Sequence, residues 1–270
     1  MCNNYGGGNK MAHFILQLYN STLDIEQMII KELLNKNKYL HEYQEITLSD
    51  IADSKYSNSI PIGTIDFITK WLNEHHNIKR ENPIEIPKYL RTDEFLKRDY
   101  RIVTWEDIPR TGSFFLKDIS ELKNFSGMMN ATYTDIDNLF NYVPQNKFDS
   151  TLVLSKEHLY QVSSCFNILS EYRVYVIGRK IEAIGHYNGD CTILPDIELI
   201  KKAVNIINNN EKYLKSYTLD IMVGKEGTAI IEIHNFTSVG LYNSLWGDNL
   251  LYAYKDGIDY LLNDNKEISS

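Results

Sequence analysis

Two carboxylates interrupt strand-like segments of this sequence. Asp220 lies in the segment before a glycine-containing turn at 224–227, and Glu232 lies in the segment after it. This pattern predicts a hairpin that holds both carboxylates. A charge on a buried strand is costly unless it is paired or binds a cation. With His234 and Asn235 just beyond, the carboxylates predict an oxygen-rich site for Mg²⁺. The alternative is that they face solvent on the polar side of a sheet.

Two residues, His234 and Asn235, are candidates for the third metal ligand. Side chains alternate along a strand, so His234 shares a face with Glu232 whereas Asn235 points away. Asn235 reaches the site only if the strand ends or bulges there, which the turn-like sequence at 236–240 allows. A histidine ligand favours Mn²⁺ or another softer ion, because imidazole is a poorer partner for Mg²⁺ than an oxygen donor.

Basic residues stand at positions suited to meeting an anion. Lys117 ends the apolar segment 114–116, and a lysine at a strand end can reach into a cleft while its stem stays buried. Lys123 follows in a loop that ends with glycine, so both lysines could lie over phosphates. The GxxxxGK[ST] pattern of a P-loop is absent, and lysines that flank strands are usually solvated. Arg173 interrupts a hairpin strand and must face solvent or a charged partner.

The elements that must position these residues begin with a strand, a helix and a strand. Segment 13–19 suits a buried strand, and segment 43–48 is a second strand. Between them, 23–34 has apolar residues at helical spacing, including Ile25 and Met28. This order is the βαβ signature of a parallel sheet and predicts an α/β organisation.

A glycine and a hydroxyl residue precede the next predicted helix, 65–74. Backbone N–H groups at Gly63 and Thr64 could point toward an anion, or Thr64 could serve only as the helix N-cap. A polar linker is expected at 75–87. The elements predicted after it are a helix at 90–96, a strand at 100–105, a hairpin at 170–187, a helix at 196–208 and a helix at 250–262.

Composition limits the class of protein. The chain has 270 residues and a formal charge of −8, which argues against a general nucleic-acid or membrane-surface binder. Three cysteines without CxxC spacing fit a reducing compartment, and we expect a cytoplasmic protein. The sequence contains no run of 18 apolar residues, so no transmembrane helix is expected. Residues 1–11 are polar and glycine-rich and are expected to form a flexible tail.

The ordered set of motifs resembles the ATP-grasp superfamily, and more closely the ATP-grasp families found in bacteria and their viruses. The resemblance covers roughly residues 12–262. The matching motifs are IPIGTIDF at 60–67, FFLKD at 114–118, KNFSG at 123–127, EYR at 171–173, LD at 219–220, EIHN at 232–235 and GLY at 240–242.

The resemblance implies an α+β ATP-grasp fold. After the tail at 1–11, an α/β pre-ATP-grasp domain would span 12–95 and an ATP-grasp domain 96–265, whose two α+β subdomains sandwich Mg-ATP. It implies a carboxylate–amine ligase that phosphorylates a carboxylate substrate to an acylphosphate, which an amine then attacks. The alternatives are a kinase or phosphotransferase of the same fold, and a non-catalytic ATP-binding module.

The resemblance also implies roles for individual residues. Lys117 would contact an ATP phosphate or the adenine edge, and Lys123 would lie in the loop that closes over the phosphates. Arg173 would meet the transferred phosphoryl group or the substrate carboxylate, and Arg98 stands where other members carry a first phosphate ligand. Asp220 and Glu232 would hold Mg²⁺.

The sequence departs from the family pattern at one metal position. The family motif is E-x-N, but here His234 occupies the third position and Asn235 follows it. Three interpretations follow: Asn235 is the ligand instead, His234 binds a softer metal such as Mn²⁺, or the metal site is impaired. The identity of the acid and the amine, and the oligomeric state, stay open.

Overall fold

A computed structural model of the chain describes residues 12–78, 85–119, 126–129, 157–237, 239–242, 245 and 247–268, with only the backbone described at 126–129 and 264–268. The tail expected at 1–11 and the loop lysine Lys123 lie outside these ranges.

The N-terminal unit is a parallel sheet with helices. Its strands are β1 (Ala12–Gln17), β2 (His41–Ile46) and β3 (Ile60–Ile62), in the order β2-β1-β3, and its helices are α1 (Ile25–Lys36) and α2 (Ile65–His76). The predicted βαβ unit is therefore present. The predicted apolar face of α1 is wrong at two positions, since Ile25 and Met28 are exposed while Ile29, Ile30, Leu33 and Leu34 are buried.

The second unit is an antiparallel sheet. A short helix, α3 (Asp93–Leu96), leads into β4 (Tyr100–Val103), β5 (Phe114–Asp118), β6 (Ser126–Met129) and β7 (Tyr160–Ser163), in the order β4-β7-β5-β6. Alternation along β5 buries Phe114 and Leu116, which pack with Trp105 and Tyr160, and leaves Phe115 and Lys117 on the other face.

The third unit is a second antiparallel sheet with one helix-covered face. Its elements are β8 (Ser170–Ile177), β9 (Lys180–Gly189), α4 (Ile197–Asn210), β10 (Tyr217–Gly224) and β11 (Gly227–Asn235), with strand order β11-β10-β8-β9. Both predicted hairpins are present. Alternate residues such as Val174, Leu219 and Ile233 pack against Ile200 and Val204 of α4. The other face holds charged residues of these strands together with Tyr175 and Ile177, which belong to the core of the N-terminal unit.

The last helix, α5 (Asn249–Ile268), returns to the N-terminal unit. Leu250, Tyr254 and Leu261 belong to the same core as Phe14 of β1. Gly257 permits close contact, since a Cβ there would lie 2.2 Å from the carbonyl oxygen of Phe236. None of the helices in the described ranges is long and apolar enough to cross a membrane.

Candidate active site

Three charged residues form a row across the third sheet. Asp220 of β10 lies opposite Arg173 of β8 on one side and opposite Glu232 of β11 on the other. Directly opposed residues project from the same face of a sheet, so the row faces away from α4. Asp220 is only 2% exposed, so the solvent-facing alternative is wrong for this carboxylate. The pairing register shifts after Asp220, a β-bulge of the kind that recurs next to active sites.

Arg173 holds Asp220 through both arms of its guanidinium. Its Nε donates to Oδ1 and its Nη2 donates to Oδ2, each at 2.7 Å. Burial alone would lower the pKa of Arg173, but the hydrogen bond and charge of Asp220 raise it further than burial lowers it. The guanidinium also lies 5.0 Å from the ring centre of Tyr242 and 5.8 Å from that of Tyr187. Arg173 is therefore a fixed, charged group at one end of the row, with Asp220 between it and Glu232.

Glu232 is held by two basic groups. Lys117 donates from Nζ to Oε2 at 2.7 Å, and His234 Nε2 lies 2.8 Å from Oε1. Burial alone would raise the pKa of Glu232, but the hydrogen bond from His234 and the charges of His234 and Lys117 place it well below its ordinary value. Because Lys117 belongs to β5 of the other antiparallel sheet, this ion pair crosses the cleft between the two sheets.

The residues that could hold a divalent cation are Asp220, Glu232 and His234. One ligand atom from each lies within 4.8 Å of the others. An ionised carboxylate has lone pairs for more than one partner, so the donor set fits a cation although both carboxylates already have basic partners. Two carboxylates with one imidazole suit Mn²⁺ as well as Mg²⁺.

Asn235 lies on the other face of β11. The strand pairs regularly from Glu232 to Asn235, which is opposite Tyr217 of the core. Asn235 is 3% exposed, and its Oδ1 accepts a hydrogen bond from Thr237 Oγ1 at 2.6 Å. This placement favours His234 over Asn235 as the third donor, and ligation itself stays a prediction.

Arg98 binds the backbone of β11. Its Nη1 donates to the carbonyl oxygens of Ile230 at 2.7 Å and Leu96 at 3.0 Å. Burial lowers the pKa of Arg98 to about 10. These bonds hold the strand that carries Glu232, and a role as phosphate ligand stays a prediction.

A cavity of about 180 Å³ lies between the two antiparallel sheets. Lys117, Glu232 and Arg98 are among the residues that line it. Most of the lining is apolar and comes from Phe115, Phe166, Ile168, Met222 and Ile231. Sequence reasoning missed the segment 163–168, whose only signal was a pair of apolar residues, Phe166 and Ile168, between two strands. An apolar slot beside lysine and arginine suits a flat base attached to phosphates.

The fold and this cleft define an ATP-grasp protein. More narrowly, the family model for the ATP-grasp domain of the R-2-K clade, family 2, matches residues 95–248, more than half of the chain. The chain belongs to this family, which confirms the predicted superfamily and fold class.

Several solved structures share the fold. D-alanine–D-alanine ligase from Bacillus anthracis, complexed with ATP, is 15% identical with a TM-score of 0.51, covering 96% of this chain and 98% of that chain. D-cycloserine synthetase DcsG is 10% identical with a TM-score of 0.54, covering 93% and 100%. The ATP-grasp ligase PsnB, complexed with a minimal precursor, is 11% identical with a TM-score of 0.52, covering 93% and 99%. A search against curated proteins finds no significant match.

Proposed function

We propose that this protein is an ATP-dependent carboxylate–amine ligase that acts through an acylphosphate. One observation carries the proposal. Lys117 forms an ion pair with Glu232 across the cleft, and Glu232 lies directly opposite Asp220, which is paired with Arg173. Phosphoryl transfer needs mainly positioning and neutralisation of charge, and this row supplies cations and cation ligands at one place. The names of two proteins of the same fold, a D-alanine–D-alanine ligase and a D-cycloserine synthetase, are consistent with amide-forming chemistry.

The cleft residues have complementary roles in this proposal. The apolar cavity receives the base of ATP, and Lys117 and Lys123 bind its phosphates. Arg98 holds β11 in place from the side of the cavity and is near enough to add charge there. The N–H groups of Arg173 that are not bonded to Asp220 donate to the transferred phosphoryl group or to the substrate carboxylate. The two bonds to Asp220 fix the orientation of the guanidinium.

A divalent cation would be held by Asp220, Glu232 and His234. When bound, it neutralises phosphate charge and so favours transfer to a carboxylate oxygen. The chain's own residues prepare the site in two ways. The low pKa of Glu232 keeps this carboxylate ionised at neutral pH, and Lys117 can exchange Glu232 for a phosphate because both partners are anionic. We propose Mg²⁺ as the cation, with Mn²⁺ as the other candidate.

The proposal is tested by product analysis with Mg-ATP. Candidate amino acids and peptides are supplied as carboxylates, with hydroxylamine as the nucleophile, because hydroxylamine converts an acylphosphate to a hydroxamate. We expect ADP, phosphate and hydroxamate in equal amounts. ADP with a stable phosphorylated acceptor and no free phosphate would instead identify a kinase.

One observation favours a second candidate, a non-catalytic ATP-binding module. Asp220 and Glu232 already have basic partners at 2.7 Å, so the pairs alone can stabilise the sheet without a metal. Binding of Mg-ATP without ADP release across the whole acceptor panel would support this candidate over the ligase.

A further inference from the structure

A second cavity lies where the N-terminal unit meets the segment after β11. Its volume is about 260 Å³. It is lined by the first turn of α1, by the loop before α2 and by part of the segment 237–240. The cleft chemistry described above uses none of these side chains.

Hydrogen-bond acceptors of α1 dominate the polar lining. Asp24 caps the helix by accepting from Gln27 N at 2.7 Å, and Glu26 Oε1 accepts from Leu241 N at 2.8 Å. Gln27 is 3% exposed, and its Oε1 has no hydrogen-bond partner in the part of the chain that the structure describes. A buried acceptor without a donor is costly, so a donor from a ligand would satisfy it.

The sign of the charge argues for a cation. Helix N-termini attract anions, but Asp24 and Glu26 already supply negative charge to α1, and Thr64 caps α2 through its Oγ1. Among the described lining residues there are two carboxylates and no lysine or arginine. Burial is the main cause that raises the pKa of Glu26, and the charge of Asp24 also raises it. The bond from Leu241 N and the charge of Arg173 act in the other direction without reversing the net shift, so the carboxylate is only partly compensated.

The cavity adjoins the row of charged residues in the cleft. Gly240 lines it, and the Gly240 carbonyl oxygen accepts from Arg173 Nη1 at 3.3 Å and from Tyr175 Oη at 2.9 Å. A ligand in the cavity is therefore separated from the Arg173–Asp220 pair by one backbone segment. The apolar lining includes Ile62, Ile65 and Val239, and Ile65 is 44% exposed at the protein surface. This apolar lining suits an alkyl chain.

We propose that this cavity binds the ammonium group of an amine substrate, with the Glu26 carboxylate and the Gln27 amide oxygen as its acceptors. The substrate class is a primary alkylammonium compound. This proposal rests on the proposed ligase function, which requires an amine. Asp24 adds negative charge at the same turn, and Ile65 contacts the carbon chain.

The test is ligand-observed NMR titration of the full chain, without ATP, using n-butylammonium chloride as the probe. We expect butylammonium to bind, and n-butyrate and n-butanol to bind at least about tenfold more weakly, because charged hydrogen bonds contribute most of the affinity. Tighter binding of butyrate than of butylammonium would overturn the proposal and indicate an anion site.

Two variants locate the binding. Glu26→Gln can still accept from Leu241 N, and we expect it to weaken butylammonium binding about tenfold or more. Gln27→Met removes the other acceptor without adding charge and should also weaken it. Glu32→Gln, exposed on the same helix and paired with Lys36, is the control and should bind as the wild type does. Unchanged affinity in both Glu26→Gln and Gln27→Met would overturn the proposal.

The result is separable from the ligase proposal. Binding is measured without ATP, so absence of butylammonium binding contradicts the amine site alone. Butylammonium binding in a chain that releases no ADP with any acceptor contradicts the ligase proposal while the cation site stands.

Discussion

At the scale of single residues, the guanidinium of Arg173 is the most constrained group of the site. It makes two parallel bonds to Asp220, a geometry that lysine cannot reproduce. We expect Arg173→Lys to lower the rate of ADP release about a hundredfold, as loss of an oriented donor does in other sites. Steady-state kinetics measures this effect, with Arg101→Lys, exposed on β4, as the control. Full activity of Arg173→Lys would restrict Arg173 to a structural ion pair.

His234 determines the metal preference in this account. Its Nε2 lies beside Glu232, whereas Asn235 is buried on the other face of β11. We expect His234→Asn to shift turnover from Mn²⁺ toward Mg²⁺, because an oxygen donor replaces imidazole. Asn235→Ala should leave the ratio of the two metal-dependent rates unchanged. A shift in that ratio with Asn235→Ala, and none with His234→Asn, would assign the ligand to Asn235.

Glu26 links the second cavity to the stability of the fold. Its pKa is raised, chiefly by burial, so the folded chain keeps a proton that the unfolded chain loses above its pKa of about 4.3. The stability from this group is complete below the unfolded pKa and is lost as pH rises through the folded pKa. Because glutamine does not ionise, we expect the free energy of unfolding of Glu26→Gln to lack this decrease with pH.

The free energy of unfolding of Glu26→Gln, minus that of the wild type, should therefore increase between about pH 4 and about pH 7. Urea unfolding at each pH measures the difference, and Glu32→Gln serves again as the control. A difference that stays constant with pH would show that the Glu26 charge is not a cost to the fold.

At the scale of elements, α5 supports the segment that passes between the two cavities. A Cβ at Gly257 would lie 2.2 Å from the Phe236 carbonyl oxygen, so the helix and this segment would have to separate. Alanine normally stabilises a helix by about 1 kcal/mol relative to glycine. For Gly257→Ala we expect the opposite sign, a loss of roughly 1–3 kcal/mol in the free energy of unfolding.

Chemical denaturation measures the effect of Gly257→Ala. Lys255→Ala, on the same helix and half exposed, should change stability by no more than about 0.5 kcal/mol. A stabilised Gly257→Ala variant would mean that the 236–240 segment can move away from α5 without loss.

Elements with strong local patterns were predictable from sequence. The predicted hairpin at 170–187 and the predicted hairpin around the turn at 224–227 have alternating residues around glycine turns, and both are present. The face of α1 was not predictable at Ile25 and Met28, because both were counted as apolar positions without knowledge of which side meets the sheet. The helix expected at 90–96 is α-helical only over Asp93–Leu96.

The parts of the candidate site that depend on local sequence were predictable, and the long-range contacts were not. The pairing of Asp220 with Glu232 follows from the hairpin, and alternation already placed His234 on the side of Glu232. The bonds from Lys117 to Glu232 and from Arg98 to Ile230 join residues 115 or more positions apart, and local sequence contains no signal for such contacts. The role of Lys123 and the domain boundaries at residues 95 and 265 stay predictions.

At the scale of the whole molecule, two sheets face a cleft that the Lys117–Glu232 pair spans. The N-terminal unit and α5 share one core, so the second cavity is held by elements from both ends of the chain. In the proposed function, nucleotide binds between the antiparallel sheets and the amine binds at the junction with the N-terminal unit.

The central claim is that Mg-ATP binds in this cleft, and isothermal titration calorimetry with a non-hydrolysable ATP analogue and Mg²⁺ tests it most directly. We expect one molecule of analogue to bind per chain. Lys117→Met should bind it at least about tenfold more weakly than the wild type does. Lys225→Met, whose side chain is exposed in the β10–β11 turn, is the control and should bind it with wild-type affinity. At a hundredfold excess over the dissociation constant, the ligand should add about 2.7 kcal/mol of stability. No binding heat together with an unchanged melting temperature, or equal affinity in the wild type and Lys117→Met, would contradict the account.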